Sequence, residues 1–163
     1  MKKIINTIKI CSFFGHSKIE SDHIEIKNKL KEIVTNLIVN ENYEEFWFGG
    51  FGDFNNLALE VVTELKNTEF PNIQRIYCAE EPKWEDKTWK IPIYIKQQHD
   101  KIIWLDMDYP YFYKRIYFRN CEMIKHSDLT IFYVTNTENS GAYKALKFAE
   151  KIKKTYINIG SIS

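Results

Sequence analysis

Apolar positions along this chain fall into two alternating spacings. The run Ile8-Lys9-Ile10-Cys11-Ser12-Phe13-Phe14 is short, ends at Gly15 and gives way to the polar segment from Ser17 to Asp22, which is the pattern of a strand entering a loop. Asp22 stands where an N-cap belongs, and Ile26, Leu30, Ile33, Val34, Leu37 and Ile38 then recur at three- and four-residue steps. That spacing predicts a helix with one buried face. The pattern repeats: Glu45 to Phe48 is a short aromatic strand broken by Gly49-Gly50-Phe51-Gly52, and Leu57, Ala58, Val61, Val62 and Leu65 stripe a second helix. Asn72 to Cys78 predicts a third strand and Lys101 to Leu105 a fourth. Pro110 opens a helix running to about His126, Leu129 to Val134 reads as a further strand, Ala142, Ala145, Leu146 and Ala149 mark a last helix, and Tyr156 to Ile159 a closing strand. Ala79 to Asp100, with Pro82, Pro92 and two tryptophans, matches neither period.

Strands alternating with helices imply parallel pairing through βαβ crossovers, with helices covering both faces of the sheet. The expected architecture is α/β: a Rossmann-like, doubly wound, mainly parallel sheet built as one domain over residues 1–163. In such sheets ligands bind beyond the carboxyl ends of the strands, where the strand order reverses.

Composition narrows the classes. A 163-residue chain buries about 68–70% of its unfolded surface, enough for a core without disulfides or a structural metal. Lys and Arg number 23 against 22 Asp and Glu, a net charge of +1 that argues against a dedicated nucleic-acid binder while leaving a local patch open. Cys11, Cys78 and Cys121 are far apart and form no C-x-x-C pair, so reduced, buried thiols are expected. Asn6 and Lys9 interrupt the apolar start after Met1-Lys2-Lys3, and no stretch reaches the length of a membrane span, which reads as a cytoplasmic protein with no membrane partner. His16, His23, His99 and His126 show no metal-ligand spacing, and no G-x-S-x-G elbow exists; no metal or cofactor is assigned.

The chemistry lies at predicted strand ends. Phe14-Gly15-His16, Gly49-Gly50-Phe51-Gly52 and Ser140-Gly141 each close a strand or open a helix, where backbone N–H groups and a helix dipole suit a phosphate; each is also an ordinary turn. The glycine cluster is neither G-x-G-x-x-G nor a Walker loop. Taken in order, Phe14-Gly15-His16, Phe48-Gly49-Gly50-Phe51-Gly52, Leu59-Glu60, Arg119-Asn120-Cys121-Glu122-Met123 before Ser127-Asp128-Leu129, and Ser140-Gly141-Ala142 resemble the SLOG superfamily. That Rossmann-like group includes DprA and the Lonely Guy phosphoribohydrolases. The likeness runs over residues 9–159 and is greatest to the small stand-alone branch, with motifs GHR, GG-x-x-GFD, RN-x-x-M-x-x-x-SD and GGT. Ser17 replaces the Arg of the first, Asn55 the Asp of the second, and Ser140-Gly141-Ala142 the last.

The resemblance implies ligand-binding roles for Gly15, His16, Gly49, Gly50, Gly52, Arg119, Asn120, Ser140 and Gly141, and, for an enzyme, catalytic roles for Glu60 and Arg119. From the residues alone, Arg119 is either a bidentate phosphate grip or a solvated charge, Asn120 either a ligand contact or a loop cap, and Glu60 either a site acid or a surface carboxylate. The aromatic clusters from Tyr109 to Tyr117 and from Trp84 to Trp104 are either core and rim packing or, in a SLOG-like crevice, supply a tyrosine among Tyr109, Tyr111 and Tyr113 to stack on a base. The leading expectation is a protein that binds a nucleotide or nucleotide-derived small molecule, ADP-ribose-like or a cyclic nucleotide, as sensor or sequestering protein. The alternatives are an N-glycosidic hydrolase of nucleoside monophosphates, and a module that binds a protein partner through the segment from Trp84 to Trp104. Assembly into a homo-oligomer is compatible with the resemblance, and nucleic acid is an unexpected partner.

Overall fold

The computed structural model describes residues 7–81, 90–107, 114–138 and 140–162. Its strands are β1 (Lys9–Gly15), β2 (Tyr43–Phe48), β3 (Gln74–Cys78), β4 (Lys101–Ile103), β5 (Leu129–Tyr133) and β6 (Tyr156–Asn158), interleaved with helices α1 (His23–Glu41), α2 (Asp53–Thr68), α3 (Ile93–Gln98), α4 (Arg115–His126) and α5 (Gly141–Lys151). The strands form one six-stranded parallel sheet in the order β4-β3-β2-β1-β5-β6. The chain winds outward from β1 to β4, then returns to the other side of β1 to lay down β5. The order therefore reverses between β1 and β5, and the loops leaving those two strands diverge to opposite faces. This is the doubly wound fold that the alternating periods predict.

Period-two alternation divides the core. Cys11 and Phe13 of β1, Phe46 and Phe48 of β2 and Ile131 of β5 pack against α1 and α2. Phe14, Trp47, Phe132 and Val134 pack on the other face with Met123 and Ile124 of α4 and Ala142, Ala145 and Ala149 of α5. The local signals hold where they are specific. Asp22 caps α1 by accepting from the amides of Ile24 (2.9 Å) and Glu25 (3.4 Å), and Asn42 ends that helix with φ 59° and ψ 35°. Cys11, Cys78 and Cys121 are buried free thiols. Within Ala79 to Asp100 the structure finds α3, whose Ile95 packs on Tyr77 and Ala79, a third small cluster that also receives Trp104. Six residues are too few to display a helical period, which is why this element is silent in the sequence. The helix expected from Pro110 is described from Arg115 onward; its first residues, with Tyr109, Tyr111 and Tyr113, lie outside the described residues, as do residues 82–89 of the partner-binding segment.

Candidate functional site

At the carboxyl ends of β1, β2, β3 and β5 the loops enclose a cavity of about 1020 Å³. Gly15, His16, Gly49, Gly50, Arg119, Asn120, Ser140 and Gly141 all line it, drawn from loops far apart in the chain. Gly52 lies just behind the wall, as the N-cap of α2. Glu60 is not among the lining residues. Its exposed carboxylate receives the Lys27 ammonium at 2.8 Å, tying α2 to α1. The side chain that α2 does present to the cavity is Asn55. Five residues further along, a helix has turned through about 500°, which leaves Glu60 about 140° from the direction of Asn55. The expectation of a catalytic Glu60 is therefore not met by its placement.

Arg119 is buried, 5% accessible, although it sits on an amphipathic helix where a solvated charge was one of two readings. Its Nη1 donates to the carbonyls of Gly49 (3.1 Å) and Cys78 (3.4 Å), the ends of β2 and β3. Its Nε (3.3 Å) and Nη2 (3.0 Å) both donate to Oδ1 of Asn120. Four of the five guanidinium N–H groups are thus engaged, none by a carboxylate among the described residues. Burial pushes its pKa down, partly offset by Tyr77, Cys78 and Glu80. Because Arg can only donate, the Asn120 amide orientation follows: Oδ1 faces Arg119, and the Nδ2 group, with no hydrogen-bond partner among the described residues, belongs to the cavity side. Asn120 is 8% accessible.

The glycine loop is held from three sides. Arg119 holds the Gly49 carbonyl, Asn55 Oδ1 accepts from the Gly50 amide at 3.1 Å, and the amide of Asp53 donates to the Ser17 carbonyl at 2.8 Å while its carboxylate accepts from the Ile19 amide at 2.8 Å. Gly50 and Gly52 adopt φ of 81° and 97°, the region that disfavours side chains. A Cβ on Gly50 would lie 2.5 Å from the Tyr77 ring, and one on Gly49 2.6 Å from Nη2 of Arg119. The space that these glycines leave is filled by the protein itself, so bulk at Gly50 strikes stability along with any ligand. A Cβ on Gly141, by contrast, would meet nothing within 4 Å and would face open space. At that end Ser140 caps α5, accepting from the Tyr143 amide at 3.1 Å, and the amides of Gly141 and Ala142 make no hydrogen bond among the described residues.

His16 spans the switch point. Its amide donates to the Tyr133 carbonyl, and its Nε2 accepts from the Thr135 amide at 2.9 Å, so the ring is neutral with its proton on Nδ1. Burial lowers its pKa below the usual 6.5, against the opposing pull of Glu138, and burial lowers that of His99 as well. A histidine that binds protons more weakly folded than unfolded contributes stability in full above about pH 6.5, and loses it as pH falls through the lower folded pKa. The melting temperature should therefore drop between about pH 7.5 and pH 5.5. In His16→Gln, whose carboxamide can accept from Thr135 without titrating, that drop should shrink to the part due to His99. An unchanged pH profile in the variant would show that His16 does not couple the two loops to protonation.

No protein-family model matches the chain, and no curated protein matches it. Solved structures do. DNA processing protein A from Helicobacter pylori, described for its single-stranded DNA binding mode, is similar over 93% of this chain and 65% of its own, with a TM-score of 0.60 and 16% identity. The structural-genomics target TM1055 is similar over 91% of this chain and 72% of its own, with a TM-score of 0.56 and 14% identity. The fold is one that this chain shares with those two structures. This chain spans less than two thirds of the DNA processing protein A chain, and at such identity the likeness concerns the fold and assigns no residue a role.

Several cavity residues carry no motif in the sequence. Lys18 and Thr135 on their loops and Tyr77 at the end of β3 line the site because of where those elements end, Phe51 is visible in the sequence only as the residue between the loop glycines, and Asn55 only as a departure from the family pattern. Among the described residues no group of three or more His, Cys, Asp or Glu is arranged to hold a metal ion, and no helix is long and apolar enough to cross a membrane.

Proposed function

We propose that this protein binds a nucleotide or nucleotide-derived ligand, ADP-ribose-like or a cyclic nucleotide, in the switch-point cavity, as a sensor or sequestering protein. The observation that carries the reading is Arg119: a buried guanidinium beside a free Asn120 amide, on a large cavity, with no carboxylate partner among the described residues. A buried cation whose hydrogen bonds go only to carbonyl and amide oxygens is costly and draws an anion to it. Unbonded amides at the start of α5 add a second attractive end for phosphate. The carboxylates of Glu20 and Glu138, also lining the cavity, can accept from ribose hydroxyls.

Turnover by an N-glycosidic hydrolase loses its proposed acid, since Glu60 is paired with Lys27 outside the cavity. Nucleic acid is a different matter. The expectation against it rested on net charge, and a fold neighbour is described as binding single-stranded DNA, so oligonucleotide belongs in the test. Thermal-shift titration against AMP, a cyclic nucleotide, ADP-ribose and a short single-stranded oligonucleotide is the experiment. A ligand at 100 times Kd stabilises by about 2.7 kcal/mol, a rise of roughly 5–10 °C for a chain of this size. A shift with the mononucleotides supports the reading; a shift with the oligonucleotide alone replaces it with strand binding, and no shift with any overturns it. Chromatography of the incubated mixtures for released base separates binding from hydrolysis.

A further inference from the structure

We infer that Phe51 is the stacking platform for the planar base of the bound nucleotide, so that the site selects an aromatic heterocycle as well as an anion; this rests on the nucleotide reading above. Phe51 is 80% accessible, the most exposed large apolar side chain among the described residues, and its ring meets no other ring there. Other exposed apolar side chains such as Ile24, Val39 and Ile93 lie on helix surfaces, whereas Phe51 and the half-exposed Ile116 both line the cavity. The position is built. Gly49 is held by Arg119, Gly50 by Asn55, and Gly52 packs so closely on Ser17 that a Cβ would lie only 2.7 Å from the serine Cα, so the backbone under Phe51 is fixed while its ring is free.

A phenyl ring with two rotatable bonds on a fixed backbone loses little freedom when a base covers it. The same loop that carries the ring is clamped by Arg119, and Ile116 stands one helical turn before Asn120 on α4. Aromatic face and anion-seeking end are therefore set on one wall of one cavity. This is the pairing of chemistries that a nucleotide offers, an apolar planar base joined to a phosphate, and a bare sugar phosphate offers only the second. The tyrosines expected for this task, Tyr109, Tyr111 and Tyr113, lie outside the described residues; Phe51 supplies a platform independently of them.

The test measures AMP and ribose 5-phosphate affinities by calorimetry on wild type, Phe51→Ala, Phe51→Leu and Phe51→Trp. Stacking on one aromatic side chain corresponds to about 5- to 150-fold in affinity. Phe51→Ala should weaken AMP binding within that range and leave ribose 5-phosphate unchanged. Phe51→Leu, apolar without a π-face, should fall between. Phe51→Trp should retain AMP binding and show fluorescence quenching with AMP and not with ribose 5-phosphate. Equal AMP affinity in folded Phe51→Ala overturns the inference while leaving the nucleotide reading standing. So does a change of oligomeric state in Phe51→Ala without a change in AMP affinity, which would make the ring an assembly contact. Failure of wild type to bind any nucleotide removes the underlying reading itself.

Discussion

Arg119→Ala should destabilise the fold by about 2–4 kcal/mol and weaken AMP binding by at least about tenfold. Each hydrogen bond from a charged donor contributes about 1.5–3 kcal/mol, and deleting the guanidinium leaves the Gly49 and Cys78 carbonyls without their partner. Two effects act the other way: a desolvated charge is removed, and water from the adjoining cavity can reach part of the gap. The unpaired carbonyls win, because both lie at the ends of central strands and the Asn120 orientation is lost with them. Arg119→Lys separates charge from fork. An ammonium keeps the cation yet cannot serve two carbonyls and Asn120 Oδ1 together, so its stability should recover only in part. Urea unfolding measures the first effect, and calorimetry with AMP and adenosine the second. A fully stable Arg119→Ala protein would show that the guanidinium does not hold the loop; equal losses for AMP and adenosine would show that it shapes the cavity without attracting phosphate.

Gly52→Ala should be nearly as damaging, by a different route. With φ 97° and ψ 170° the residue occupies backbone space essentially reserved for glycine, at a cost of about 1–3 kcal/mol for any side chain. A Cβ there would also press on the Ser17 backbone at 2.7 Å, where yielding means moving the β1–α1 loop. Together these give a loss of about 2–4 kcal/mol, a fall of roughly 5–15 °C in melting temperature. Because the Ser17 carbonyl and Ile19 amide are bonded to Asp53, the displaced loop carries the His16 side of the cavity with it, and ligand affinity should fall as well. Circular-dichroism melts of Gly52→Ala and of Gly141→Ala make the contrast: Gly141 has open space where a Cβ would stand and no positive φ, so its variant should melt within about 2 °C of wild type. Similar melting of both variants would show that neither strain nor crowding at Gly52 governs stability.

The order of β1, α1, β2, α2, β3, β5 and α5 is readable from hydrophobic spacing because each of those elements buries a full face, and burial is what writes a period into sequence. The two-sided core follows from it, as does the end of the sheet at which loops gather. The motifs around Gly15, Gly49, Arg119 and Ser140 are local and ordered along the chain, so they too are visible without coordinates. What no spacing carries is the partner of each group. Arg119 on an amphipathic helix reads equally as solvated or engaged, and its burial depends on the ends of β2 and β3, 70 and 41 residues away in the chain. Glu60 and Asn55 share one helix, and only the docking of α2 against α1 decides that the amide meets the cavity while the carboxylate meets Lys27. The glycines show the same division. Their presence is a sequence fact, whereas the reason for them, a tyrosine ring, a guanidinium or a neighbouring backbone in the space of a Cβ, is set by long-range packing. Local periodicity determined the elements and their faces, since those depend on neighbours a few residues apart; the tertiary structure alone decided which donors and charges remain unpaired, since pairing is a property of three-dimensional proximity.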